Sequence, residues 1–459
     1  MKKWIIIDLV LLLILAAVAG GFWMHRTWYY ENHVFIGEDV YEKSLTELDL
    51  RGQGRSIEYY EQVKAALPGC RIRYDVEFQG KRYDDDTAEL TVTTLSESDF
   101  AVLEYLPQLS AVHAEGCTDY EALQALREAY PQLSVSYTVE LLGEAYPHDT
   151  AELSFGKEQP TADELTRALQ WLPEITAIHF DQPTIPADDL RALRDSNPDI
   201  AFTWKKDAFG QTFDDTVTEI DISGMTFGSL DEVKEQAIWF PNLEKLVMID
   251  CGYDNETMAA FREEMRPYCK VVWKVKVGRL WLRTDDLYYM PIKYGETVSS
   301  SQLGNLTYCE DMLCVDLGHM HILDISWVKG MTSLKYLIVA DCEIANIAPI
   351  SSCKNLIYVE LFDTNISDFT PLLGCTSLQD ANLAQAYNAD FRPLAEMTWL
   401  KNLWVNRNGI SQADRKFLTE SLPDTRIEFD AGWITGNGWR ELQNYFDMRD
   451  LLGMAYNPW

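Results

Sequence analysis

Histidine, cysteine and acidic side chains are where this sequence could do chemistry, and their spacing argues against most of it. His319-x-His321 puts two imidazoles on one side of an extended segment, a weak metal pattern with no third ligand at a usable spacing. His113 and His179 hold equivalent positions in two strands three turns apart. At about 4.8 Å per strand they lie about 15 Å from each other, too far for one ion to bridge, so both read as solvated. The acidic turns Asp84-Asp85-Asp86, His148-Asp149, Asp214-Asp215 and Asp285-Asp286 recur in phase, about 65 residues apart. Calcium needs about six to eight oxygens in one place, and clusters that far apart in sequence do not stack, so turn-forming aspartate is the simpler reading. No G-x-S-x-G, phosphate loop, H-E-x-x-H or dinucleotide fingerprint occurs. No catalytic residue, metal site or cofactor is therefore assigned, and the chain does not read as an enzyme. An enzymatic reading would have to place its site in 291–311 or in the tail.

The nine cysteines are spaced as packing residues. Cys117, Cys251 and Cys342 each follow a leucine (Leu109, Leu243, Leu334) by eight positions, while Cys309, Cys353 and Cys375 share another column. Cys70 and Cys269 each open a Cys-x-(Ile/Val)-x-(Tyr/Trp) strand. These eight read as small buried hydrophobes, and the odd total argues against a complete disulfide framework. One bridge between stacked Cys353 and Cys375 is compatible with the pattern. Cys314 alone points to the exposed face of its strand.

The elements behind these columns repeat. Met312, Leu334, Leu356, Leu378 and Leu400 step by 22. Three and five positions later come Val315/Leu317, Leu337/Val339, Val359/Leu361, Ala381/Leu383 and Leu403/Val405, and ten positions in come Ile322, Ile344, Ile366, Asn388 and Ile410. Pro349, Pro371 and Pro393 follow in register. A fixed period with apolar columns means that each unit must bury its face on its neighbours. The L-x-x-L-x-L run makes a short strand, and the proline ends the extended return because it cannot donate a hydrogen bond.

This pattern resembles the leucine-rich-repeat family in its 22-residue, internalin-like form with a D-I-x-P-L ending. Ala-Asn-Ile-Ala-Pro-Ile at 345–350 and Ser-Asp-Phe-Thr-Pro-Leu at 367–372 carry the match. The resemblance implies an α/β solenoid, a horseshoe with a parallel concave β-sheet and helical and extended returns on the convex side. It implies a recognition or adhesion scaffold. The family's ninth position, usually Asn or Cys bonded to the adjacent turn, reads Met320, Cys342, Thr364, Ala386 and Asn408 here, so three of five can play the role.

Net charge is −33, from 72 acids against 39 bases, which excludes a nucleic-acid partner that needs clustered Lys and Arg. An apolar run from Trp4 to Phe22 follows two lysines and is interrupted by Asp8. Nineteen helical residues rise about 28 Å, close to the ~30 Å of a hydrocarbon core. Residues 1–24 read as a transmembrane signal-anchor with the remainder outside the cytoplasm, a single-pass protein of the cell membrane. The alternative is secretion after cleavage at Ala17-Val18-Ala19. Residues 25–44 are juxtamembrane, and 45–290 are irregular repeats with helical returns such as Tyr120–Tyr130, Ala187–Asp195 and Glu256–Arg266. Strands ending at Gly143 and Gly210 should turn back as hairpins. Residues 291–311 read as an irregular connection, 312–430 as regular repeats, and 431–459 as a C-terminal cap over the last repeat's open core, or alternatively as a partner-docking peptide.

Between the leucines, strand positions point to the concave face. The candidate ligand-binding residues there are Tyr336, Ile338, Tyr358, Glu360, Phe362, Asp380, Trp404 and Arg407. Exposed aromatics flanked by charge mark an interface for a protein or peptide ligand. The alternative is a cell-wall glycan stacking on Tyr358, Phe362 and Trp404, and a further possibility is that loops or the cap fold over them.

Overall fold

The computed structural model describes residues 2–386 and 389–455, so the column residue Asn388 and the tail residue Trp459 lie outside it. The chain forms two compact units, one up to Lys205 and one from Lys206.

The first unit opens with a helix, Lys2–Asn32. Within Ile7–Asn32 the most apolar 18-residue stretch has a mean hydropathy of 2.3, and none of it is buried. At 1.5 Å per residue the helix is about 46 Å long, so it continues past the apolar run that marks it in the sequence. Parallel strands follow in groups: Glu47–Asp49 with Arg71–Arg73, then Glu89–Thr91, Ala111–Ala114 and Ser134–Leu141, then Glu152–Phe155, Ala177–Asp181 and Ala201–Ala208. Helices at Ile57–Ala66, Tyr120–Ala129, Ala162–Leu169 and Ala187–Ser196 return the chain. Leu123 and Leu126, one turn apart, are fully buried in the second of these, and Thr161 and Glu164 close a capping box on the third.

A hairpin ends the earlier groups. Gln79-Gly80 and Leu142-Gly143 supply the two consecutive left-handed residues that a two-residue turn requires. Phe209-Gly210 does the same as the second unit begins, so the turns expected at Gly143 and Gly210 are present.

In the second unit, Glu219–Asp221, Lys245–Val247 and Lys270–Val272 pair in parallel with helical returns, and the hairpin Lys274–Val277/Leu280–Arg283 follows. A seven-stranded parallel sheet then runs through Tyr288–Tyr289, Cys314–Asp316, Tyr336–Ile338, Tyr358–Glu360, Asp380–Asn382, Asn402–Trp404 and Arg426–Glu428. Val315, Leu337, Val359, Ala381 and Leu403 stand in one register row and are almost wholly buried. The returns before Asn402–Trp404 are 3-10 turns, and Pro349, Pro371 and Pro393 each sit in the opening turn of one, while the helix Gln412–Ser421 leads to the last strand.

Residues 291–311 are less irregular than the sequence suggests. The 3-10 turn Gly304–Tyr308 lies one repeat before Ser326–Val328, Ser299 bridges His321, and Leu303, Leu306 and Cys309 are fully buried. The regular sheet therefore begins a unit early, at Tyr288. All nine thiols are free, so the bridge weighed between Cys353 and Cys375 is not formed. Their Sγ atoms instead donate to Val328 O and Ile350 O of the preceding turn. In the ninth column, Cys342 Sγ donates to Leu317 O at 3.3 Å and Thr364 Oγ1 to Leu361 O at 2.7 Å. Asn408 Nδ2 donates to Leu383 O at 2.9 Å, and its Oδ1 accepts from the Ala386 amide.

Candidate interaction surface

Because side chains alternate along a strand, the residues beside that core row face the other side of the seven-stranded sheet, the concave face of the sequence reading. They are Cys314 and Asp316, Tyr336 and Ile338, Tyr358 and Glu360, Asp380 and Asn382, and Asn402 and Trp404. Ala340, Phe362 and Ala384 extend the surface just past the strands. A strand of three residues offers this face two side chains, so the surface is assembled one pair per repeat.

This face is covered. After Arg426–Glu428 the chain doubles back through Asp430–Gly438 and lies across it. Asn406 Nδ2 donates to Ala431 O and Trp433 O, Asn382 Nδ2 to Ile434 O at 3.2 Å, and Trp404 Nε1 to Gly436 O at 2.8 Å. The Trp439 ring then stacks on Tyr358, with centroids 5.0 Å apart, and meets Trp404 at 5.3 Å. Its Nε1 donates to Glu360 Oε1 at 2.7 Å, an acceptor shared with the Tyr358 hydroxyl. The helix Gln443–Leu451 follows. Its Asn444 donates to Asp380 Oδ2 at 2.8 Å, and Tyr445, Met448 and Leu452 are buried against the sheet. At the far end Lys293 Nζ donates to Leu452 O.

The expectation that these side chains meet solvent is therefore corrected. Tyr358 and Trp404 are 0% exposed, and Tyr336, Ile338, Phe362 and Asp380 are buried as well, while Glu360 is partly buried. Cys314 faces this side, as its position predicts, yet is also 0% exposed. Arg407 does not belong to the face. It sits at a left-handed φ of 63° in the turn after its strand, where alternation no longer applies, and its Nε donates to Gln385 Oε1 at 2.8 Å. Segment 431–455 is not a cap on the last repeat's core. The core of the last repeat is filled by Leu418 of the helix Gln412–Ser421 and by Leu422, and residues 431–455 join the cluster on the other face.

Covering the face changes its electrostatics. Burial pushes the Asp316 carboxyl up to about 6, against the pull of the Gly318 amide, with Glu360 adding to the rise and Arg449 opposing it. Burial also raises Asp380, although Asn402 and Asn444 both donate to it. The Tyr358 phenol is raised by burial and by the nearby Glu360 charge, and the Cys314 thiol by burial. The sequence reading missed the asparagines that bind the tail. Their signal was a polar residue at concave-face positions otherwise occupied by large apolar groups.

The other titratable candidates do not converge. His319 Nδ1 pairs with Asp341 at 2.7 Å and His321 Nδ1 with Glu343 at 3.0 Å, each bonded to its own partner one repeat on. His113 bonds Ser136, and His179 bonds Thr203. In the acidic turns, Asp85 pairs with Arg73 at 2.9 Å. Burial alone would raise Asp285, but bonds from Arg283 and Lys245 hold it at about 2. Among the described residues no three His, Cys, Asp or Glu side chains gather around a metal-sized position.

Stacked parallel strands in 22-residue register, apolar columns between successive turns and 3-10 returns opened by proline decide the fold. It is a leucine-rich-repeat solenoid. No family model and no curated protein matches the sequence. Among solved structures, the leucine-rich-repeat chain is similar to internalin C2 of Listeria monocytogenes, with 15% identity and a TM-score of 0.27, covering 54% of this chain and 97% of that one. A second internalin of that organism has 13% identity and a TM-score of 0.28 over 86% and 91% of the two chains. A leucine-rich-repeat protein of Leptospira interrogans has 12% identity and a TM-score of 0.24 over 74% and 93%. At these values the likeness carries no argument about ligands, and the leucine-rich-repeat assignment rests on the repeat geometry above.

Proposed function

We propose that this chain is a membrane-tethered, extracytoplasmic leucine-rich-repeat scaffold that binds a protein or peptide ligand through the concave face of its seven-stranded sheet. One observation carries the reading: the face already holds a peptide segment in the manner of a recognition groove. Aromatic walls take a ring, carboxylates on the floor take donors, and backbone carbonyls of the occupant are answered by asparagine side chains. Repeat proteins present such surfaces because each unit contributes the same few positions. The glycan alternative fits less well, since the rings of Tyr358 and Trp404 that would stack on sugars are taken by Trp439.

The tether is supported by the exposed apolar helix Lys2–Asn32. Protease shaving of intact cells tests it: digestion of the repeats is expected, and their full protection would refute export. Ligand binding is tested by capture with the intact chain and with a Tyr358→Ala, Trp404→Ala double variant. Loss of a specific protein partner in the variant is expected, and unchanged capture would remove the concave face from the reading.

A further inference from the structure

The tail is held unlike a piece of permanent core. The repeat side of the sheet is filled by apolar side chains, whereas the floor beneath the tail carries Asp316, Glu360, Asp380, Asn382 and Asn406. Such a floor can be rehydrated when uncovered, which a purely apolar one resists. The occupant is also modest. Its helix has nine residues, short for a helix that must stand alone, and no side chain caps its N-terminus. It is reached through a connection containing Gly432, Gly436 and Gly438, and Gly438 lies at a φ of +84°. No disulfide fixes it.

The fit is incomplete as well. Asn406 Oδ1 is buried with no hydrogen-bond partner. The Asp316 carboxylate accepts from the Gly318 amide, while the nearest tail cation, Arg449, donates to Ala455 O instead. The tail thus leaves two acceptors on the floor poorly answered, one of them anionic. A ligand that supplied donors there would bind the same groove better.

Resting on the concave-face reading above, we infer that Trp439–Leu452 is a displaceable resident of the groove, and that the partner it fits is a basic amphipathic helical segment. That segment would carry a ring N–H donor for Glu360 and apolar residues at the spacing of Tyr445, Met448 and Leu452. It would add a cationic side chain over Asp316. Three carboxylates on the floor, in a chain of net charge −33, favour the basic partner by charge complementarity.

Cys314 is the built-in reporter, since it is fully buried in the cluster that the tail completes, while Cys342 and Cys375 lie in the repeat core. The experiment labels the full chain with an uncharged maleimide under native conditions and maps the modified thiols. Trp439→Ala should speed labelling of Cys314 roughly thirtyfold, the order expected for truncating a buried interface tryptophan, with Cys342 and Cys375 still protected. Tyr445→Ser, a milder change, should do so to a smaller degree. A fluorescent synthetic peptide of residues 431–455 should then bind Trp439→Ala more tightly than the parent chain, and an analogue with an added arginine near the Asp316 position more tightly still. Cys314 that opens only together with Cys375 would make the tail part of the fold and overturn the inference, as would an opened chain that ignores both peptides. Peptide binding without any partner protein captured would leave this inference standing and remove the proposed function instead.

Discussion

Two sets of parallel strands in this chain are built on the same rule and end in opposite states. In the first unit burial alternates: Leu153 and Phe155 are buried while Glu152 and Ser154 are exposed, and Ile178 and Phe180 are buried around an exposed His179. One face is dry and the other wet. In the seven-stranded sheet Tyr336, Leu337 and Ile338 are all buried, as are Asp380, Ala381 and Asn382. Both faces are dry there, because the tail supplies a second layer. Far-face residues of the first unit are Thr91, His113, Ser136, Ser154 and Thr203, whereas the seven-stranded sheet sets large apolar groups (Cys314, Tyr336, Ile338, Tyr358 and Trp404) among its far-face Asp316, Glu360, Asp380 and Asn382. An apolar far face in a repeat array therefore signals something lying on it, and the question is only whether that cover is foreign or part of the chain.

The sharpest way to break this contrast is to truncate one far-face residue in each set. Trp404→Ala should cost about 3–5 kcal/mol, as removal of a fully buried aromatic does, while His179→Ala should stay within about 0.5 kcal/mol. Denaturant midpoints of the two variants measure this. Similar losses at both positions would mean that the second face of the first unit is not wet in solution.

The returns differ in the same direction. At Gly374, in a 3-10 return, an added Cβ would meet Ser351 O at 2.5 Å, which is backbone and cannot step aside, whereas at Gly156 nothing lies within 4 Å. Gly374→Ala should cost about 1–3 kcal/mol by overpacking, and Gly156→Ala close to nothing. Equal melting temperatures for the two variants would show that the 3-10 returns stack more loosely than this contact requires.

Much of this was legible from residues alone. The 22-residue columns located the strands from Cys314–Asp316 to Asn402–Trp404, and Leu123 with Leu126 marked a helical return, because stacking forces periodic apolar positions. The hairpins at Gly143 and Gly210 followed from spacing too short for another strand and helix. Two things did not follow. The early start of the sheet at Tyr288 was hidden because its return carries Leu303, Leu306 and Cys309 without the proline found in later units. The tail over the sheet stood in the sequence only as an alternative to an open face, because Trp439 and Tyr445 are as compatible with capping a core as with filling a groove. Contact between residues 79 positions apart, Trp439 and Glu360, leaves no periodic trace.

Acid titration acts with opposite signs at two aspartates of the second unit and gives the smallest effect. Asp285 is held at about 2, below the ordinary 3.8, so its ion pairs add stability above pH 4 that is lost as pH falls toward 2. Asp316 is raised to about 6, so the covered state binds its proton more readily than the uncovered one. The stability it adds is fully present below the ordinary value of 3.8 and is lost as pH rises through 6. The groups facing it are Glu360 from a neighbouring strand, Arg449 from the tail and His319 from the following turn, so the carboxylate has a guanidinium and an imidazole close by but is bonded to neither. Between pH 5 and 7 the tail should therefore loosen as pH rises in the parent chain, and Asp316→Asn should remove most of that dependence. The measured quantity is the ratio of Cys314 labelling rates in variant and parent at each pH, read at reagent excess where tail opening sets the rate, because, besides burial, the Asp316 charge raises the Cys314 thiol. The ratio should fall as pH rises from 5 to 7; a flat ratio would mean that Asp316 is hydrated beneath the tail and that the floor of the groove is wetter than its aromatic walls imply.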